Sequence, residues 1–326
     1  MLRRSYRAHL RVAGPLAALV AFFAAAAACP GGALAASTPQ HEAATATAGK
    51  ARAEAARVAR YWTPARMRSA RPLDLAVAPG GRTRAIVGSP DGSGASASFL
   101  TISTPDVPPY SFNGRIFIRR GGLEGYCSGT AINSPSRQLI LTAGHCVNSG
   151  REDGKASVWS NYLEFVPAYS GGVAPFGTFV ARRNQIRAPQ QWIKQGNPDF
   201  DMGAFLVFPN SEGVNVADAV GGGATIVTDL TRHQTFQTFG YPGESTRMQG
   251  CISPYIGDDL LSNPFPGPPT LGIRCHWAPG ASGGGWLIGD GTQINGINSY
   301  LHLNNKSRTF GPYFSSATVG KLVKGL

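Results

Sequence analysis

Three stretches of this 326-residue chain carry side chains that can do chemistry together. The first is Gly280-Ala281-Ser282-Gly283-Gly284, just ahead of the apolar run Trp286-Leu287-Ile288. A serine hydroxyl is a weak nucleophile at neutral pH. It becomes a strong one when a base takes its proton and nearby donors stabilise the oxyanion that forms. Flanking glycines let the chain turn sharply and let a carbonyl come close to the backbone N–H groups. Alone, the motif also describes an ordinary turn. The second stretch is Leu141-Thr142-Ala143-Gly144-His145-Cys146, where an apolar run delivers an imidazole, a base suited to neutral pH. The third, Asn197-Pro198-Asp199-Phe200-Asp201-Met202, lies between them and offers two acids that can orient that imidazole.

Thr-Ala-Gly-His-Cys followed downstream by Gly-x-Ser-Gly-Gly resembles the chymotrypsin-like (trypsin-fold) serine peptidases, and the order His, Asp, Ser is that family's order. The resemblance spans residues 114–326. It implies that His145 takes the Ser282 proton and returns it to the leaving amine, and that the backbone N–H groups of Gly280 and Ser282 form the oxyanion hole. The family places its acid at the head of an apolar strand. Asp201, directly before Met-Gly-Ala-Phe-Leu-Val-Phe, is the expected one; Asp199, after a proline, is expected in a solvated turn. The primary pocket falls on 274–279 and 296–300, with His276, Ser299 and Tyr300 as substrate-binding candidates. Cys127-Ser128-Gly129-Thr130 and Phe239-Gly240-Tyr241-Pro242-Gly243 resemble bacterial secreted enzymes such as the glutamyl endopeptidases, yet Asn298 precedes Ser299 where those carry a histidine. Animal trypsins have an aspartate where this chain has Ala281. No new N-terminal amine can pair there, so any maturation works by removing or displacing a pro-segment.

Short β-type runs must position these groups. Ile116-Phe117-Ile118, Tyr126–Ile132, Gln138–Thr142, Ser157–Val166, Gly177–Ala181, Met202–Phe208, Ala224–Val227, Thr235–Gly240, Gly272–His276, Gly285–Ile288, Ile294–Tyr300 and Tyr313–Phe314 are separated by Gly, Pro and Asn turns. The expected fold is all-β, two packed six-stranded antiparallel barrels, with a short closing helix over Ser316–Val323. Ahead of them, Ala43–Arg60 is a candidate helix, and Pro79–Pro109 reads as a linker too poor in apolar residues to fold alone. The expected organisation is a signal peptide over 1–35, a largely low-complexity propeptide and linker over 36–113, and the peptidase domain over 114–326.

The leader expectation rests on Arg3, Arg4, Arg7 and Arg11, the Ala-rich run 12–28 and the site Ala33-Leu34-Ala35. It implies a secreted, extracellular protein without stable membrane association; a monomer is expected. The net charge of +12 is concentrated at the front: residues 1–115 hold 14 Lys/Arg against 5 Asp/Glu, and 116–326 hold 16 against 13. With no basic stripe in the second part, nucleic acid is not an expected partner. Beyond Cys29, four cysteines remain, and an even count in an exported chain implies two disulfides with three possible pairings. The resemblance selects Cys127–Cys146 and, with it, Cys251–Cys275. No Cys-x-x-Cys or His-x-x-x-His spacing suggests a metal, and no cofactor is expected. The function implied is hydrolysis of protein or peptide substrates through an acyl-enzyme. The rival readings are an inactive homologue used as a binding module, and an esterase.

Overall fold

The computed structural model describes residues 39–326, except 79–81, 89–98, 153, 244, 261–265 and 304. The expected signal peptide lies outside the described residues. Residues 46–326 form one compact unit, distinct from residues up to 45.

The chain enters through helices α1 (Pro39–Tyr61) and α2 (Pro64–Ser69) and strands β1 (Arg71–Val77), β2 (Thr83–Val87) and β3 (Leu100–Thr101). The first barrel follows, built from β4 (Asn113–Arg120), β5 (Leu123–Ile132), β6 (Leu139–Thr142), β7 (Asn161–Pro167), β8 (Phe179–Arg187) and β9 (Gly203–Val207), with α3 (Gly144–Val147) after β6 and α4 (Gln190–Gln195) before β9. The antiparallel circuit β4-β5-β6-β9-β8-β7 closes back on β4. Ile116, Ile140, Phe165 and Phe205 fill it, all fully buried. Closure explains why strands of only four or five residues hold: every strand pairs on both sides and no edge is exposed.

After α5 (Val216–Ala219) and β10 (Thr225–Ile226), the second barrel uses β11 (Thr235–Gly240), β12 (Gln249–Asp258), β13 (Leu271–Ile273), β14 (Gly285–Ile288), β15 (Gln293–Ile297), β16 (Tyr300–His302) and β17 (Asn305–Gly311). β15 and β16 are two halves of one strand, interrupted at Asn298-Ser299. With that counted as one, β11-β12-β13-β17-(β16/β15)-β14 is the second six-stranded circuit. Phe236, Ile273 and Trp286 form its core. A turn of wide helix over Ser316–Gly320, capped by Ser315, leads into α6 (Lys321–Val323), where the closing helix is expected.

Several sequence expectations need correction. β12 and β17 escape the pattern reading because Gly, Pro254 and polar residues interrupt them; pairing on both sides supplies what the pattern lacks. Tyr313-Phe314 is not a strand. Phe314 is buried, and its carbonyl accepts from Asp229 N. The segment read as low-complexity carries ordered structure: Val58, Trp62, Met67 and Leu73 are buried in the same cluster as Ile116 and Phe117. Within the linker region, β2 pairs with β1 and β3 pairs with β12. Such strands need no core of their own, because they borrow hydrogen bonds and burial from sheets already formed.

Candidate active site

The Ser282 turn is held from below by the first barrel. Ser128 N donates to the Ser282 carbonyl at 2.8 Å, and Ser128 Oγ donates to the Gly280 carbonyl at 2.9 Å while accepting from Tyr241 N. Asn298 ties the other side: Nδ2 donates to the Phe239 and Ala281 carbonyls, and Oδ1 accepts from Trp286 Nε1. These bonds are possible only because Gly283 has no side chain. At φ +83°, a Cβ there would lie 2.1 Å from Thr142 Oγ1 and 2.4 Å from the Ser128 carbonyl.

His145 sits in α3, the short turn that the buried Leu-Ile-Leu-Thr strand β6 delivers. The adjacent Cys146 is bridged to Cys127 on β5, which fixes the turn to the sheet; Cys251–Cys275 is the second bridge. Asp201 is fully buried just ahead of β9 and converges three donors. Its Oδ1 accepts from His145 N at 2.6 Å, and its Oδ2 pairs with His145 Nδ1 at 2.8 Å and accepts from Ser299 Oγ at 2.5 Å. A Cβ on Gly144 would meet Asp201 Oδ1 at 2.8 Å, so the glycine of Ala-Gly-His lets the carboxylate reach the backbone. The indole of Trp192, from α4, packs edge-on to the imidazole with ring centres 6.4 Å apart. His145 Nε2 is buried and has no hydrogen-bond partner among the described residues.

Ser282 Oγ does not donate to His145. It donates to Asp74 Oδ1 at 2.9 Å, and the same oxygen accepts from Leu75 N. One residue earlier, the Leu73 carbonyl accepts from Gly280 N at 2.8 Å. Burial pushes the Asp74 carboxyl up to about 6; His145 and the bonds from Leu75 and Ser282 oppose that rise. Nothing in the sequence of the segment ahead of the expected linker marks Asp74. Its contact with Ser282 spans 208 residues.

The other candidates divide. Ser299 and Tyr300 line a cavity of about 10 Å³ beside Ser282, together with Asp74, Trp277, Asn298 and Thr309. Ser299 spends its hydroxyl on Asp201, while Tyr300 donates to Asp259 at 2.6 Å. His276 does not reach this cavity; half-buried, it has its pKa lowered by burial. Asp199 is not in a solvated turn. Asn197 Oδ1 caps its short turn from within, the side chain is buried, and burial plus the nearby Asp259 push its carboxyl up to about 7. A larger cleft of about 680 Å³ lies between α4 and α6 and contains neither Ser282 nor His145. Among the described residues, the one cluster of metal-ligating atoms is Cys127, His145 and Cys146, and its sulfurs are committed to a disulfide.

Two antiparallel six-stranded barrels with these residues between them define the fold of the trypsin-like serine proteases, and the structural neighbours of the chain are of that class. It is similar to protease Anisep from Arthrobacter nicotinovorans, with 29% identity and a TM-score of 0.58 over 65% of this chain and 93% of that one. It is also similar to the thermostable serine protease AL20 from an extremophilic microorganism, with 27% identity and a TM-score of 0.55 over 63% and 92%. A Glu endopeptidase matches at a TM-score of 0.55 and 20% identity over 69% and 95%, a likeness of fold alone. No family model and no curated protein sequence matches the chain. The two proteases above 25% identity support a protease function in general.

Proposed function

We propose that the protein is a secreted serine endopeptidase in which Ser282 is the nucleophile, His145 the general base and acid, and Asp201 the residue that orients His145. The observation that carries this reading is the buried pair of His145 Nδ1 with Asp201 Oδ2 at 2.8 Å. A carboxylate on Nδ1 fixes the N–H there and leaves Nε2 as the basic nitrogen. In the reaction, Ser282 Oγ attacks the scissile carbonyl carbon as its proton passes to Nε2. The oxyanion is held by the N–H groups of Gly280 and Ser282. His145 then protonates the leaving amine, and water repeats the sequence on the acyl-enzyme.

Ser128 and Asn298 are positioning residues for the Ser282 turn, and Ser299 is one for Asp201. Two disulfides support an oxidising destination, as does the leader-like composition of the first 35 residues. The proposed arrangement is a leader over 1–35, a pro-segment over 36–113 and a monomeric peptidase over 114–326, acting on protein or peptide substrates. The test is peptide hydrolysis and fluorophosphonate labelling of wild type against Ser282→Ala. Turnover should fall by about 10⁶-fold and labelling should vanish. Hydrolysis that survives in a clean Ser282→Ala preparation would sink the assignment.

A further inference from the structure

Given Ser282 as the nucleophile, we propose that β1 is a built-in inhibitor: a strand of the chain's own N-terminal segment that fills the peptide cleft along β16 and holds the Ser282 hydroxyl on Asp74, away from His145. Three groups that catalysis needs are taken by consecutive parts of this strand. The Leu73 carbonyl occupies Gly280 N–H, one of the two proposed oxyanion donors. The Asp74 carboxylate accepts a hydrogen bond from the Ser282 hydroxyl at 2.9 Å. The backbone of 75–77 then pairs with β16, setting Leu75 against Tyr300, Ala76 against Leu301 and Val77 against His302.

Side chains complete the occlusion. Leu75 and Val77 are buried in one cluster with Tyr300, Phe310 and Trp192, the last of which packs on His145. The cavity left next to Ser282, about 10 Å³, has room for a single water and none for a substrate side chain. The pairing with β16 is parallel. The group the strand sets at the hydroxyl is the Asp74 carboxylate side chain. With Ser282 donating to that carboxylate and Nε2 of His145 unengaged among the described residues, the proton transfer that would start attack on the strand is not set up.

The strand is not a loose tail. β2 pairs with it from Leu73↔Val87 to Val77↔Thr83, and Arg71 and Pro72 pair with Gly125 and Tyr126 of β5. Upstream, Trp62 donates to the Tyr162 carbonyl at 2.6 Å and packs on Phe117. A strand so anchored stays seated until something dislodges or removes it, which makes the event that frees Ser282 the activation step.

The test uses the full-length chain, verified intact by mass, and reads the rate at which a fluorophosphonate labels Ser282. Asp74→Ala removes the acceptor that holds the hydroxyl. Leu75→Arg puts a charge into the Trp192–Tyr300–Phe310 pocket and loosens the strand. Both variants should label at least about tenfold faster than wild type, the factor that one lost hydrogen bond to a charged group supplies. If Leu75→Arg fails to fold, Asp74→Ala carries the test. Labelling of wild type as fast as either folded variant overturns the inhibitory strand and leaves Ser282 as nucleophile standing. No labelling of any form overturns both, because Ser282 is then not an activated serine.

Discussion

Asp201→Asn is a near-isosteric change whose effect follows from the three donors that meet on this carboxylate. Asp201 accepts from His145 N on one oxygen, and pairs with His145 Nδ1 and Ser299 Oγ on the other. An asparagine keeps one acceptor oxygen and replaces the other with a donor. If the oxygen stays on His145 N, the new NH₂ faces Nδ1, which must then become the acceptor. The ring N–H moves to Nε2, and His145 loses the lone pair that takes the Ser282 proton. If the amide flips, its NH₂ meets the backbone N–H of His145. Two donors then face each other in a fully buried place, at a cost of about 1–3 kcal/mol. That cost disfavours the flip, so the first arrangement prevails and disables the base; the expected loss in turnover is about 10⁴-fold, or about 5.5 kcal/mol in the barrier.

The control is Asp199→Asn, two residues away and also buried. Its carboxyl, raised to about 7, makes no bond to His145 among those described, so turnover should stay close to wild type. A raised carboxyl pKa stabilises the fold at low pH and loses that contribution as pH rises through about 7. Asp199→Asn should therefore gain stability over wild type progressively between about pH 4 and 7, a gain that levels off at higher pH. Both variants should be assayed for peptide hydrolysis at about pH 7.5 in wild-type and Asp74→Ala backgrounds, with urea unfolding in parallel. A crippled Asp199→Asn beside a normal Asp201→Asn would refute the assignment of the orienting acid, and two near-normal variants would refute the triad.

Glu164 on β7 is buried, its Oε2 has no hydrogen-bond partner among the described residues, and burial pushes its carboxyl up to about 8, against which a bond with Thr178 acts. Because the folded pKa is raised, stability should fall as pH climbs from about 4.5 through 8. Glu164→Gln should escape that fall and exceed wild type by up to about 3 kcal/mol at pH 7 in urea unfolding; parallel pH profiles would contradict this. The Cys127–Cys146 bridge closes a loop of 19 residues, so Cys127→Ala with Cys146→Ala should cost about 3 kcal/mol and lower turnover further by loosening α3. Unchanged thermal unfolding of that double variant would show that β5 and β6 hold the His145 turn unaided.

Much of this protein is written locally. Leu139-Ile140-Leu141-Thr142 has to be a buried strand end, so the position of His145 after it follows from the sequence. The glycines around Ser282 likewise announce a backbone that must pass close to another, and the steric clashes that any Cβ on Gly283 would make are the reason. The apolar run after Asp201 marks a strand head. Tertiary structure decided the rest, because it depends on groups that meet only across the fold. β12 and β17 exist by pairing on both sides, whatever their own propensity. Asp199 looks solvent-bound in sequence, and is buried because the second barrel, through Thr270 and Asp259, closes over its turn. Ser299 lines the cavity beside Ser282 yet gives its hydroxyl to Asp201, because the interruption between β15 and β16 sets its direction, while His276, after β13, stays outside that cavity. The contact of Asp74 with Ser282 is the extreme case. A weakly patterned segment carries no periodic signal of its own, and its order comes from sheet edges and aromatic walls supplied by residues 54 to 235 positions away.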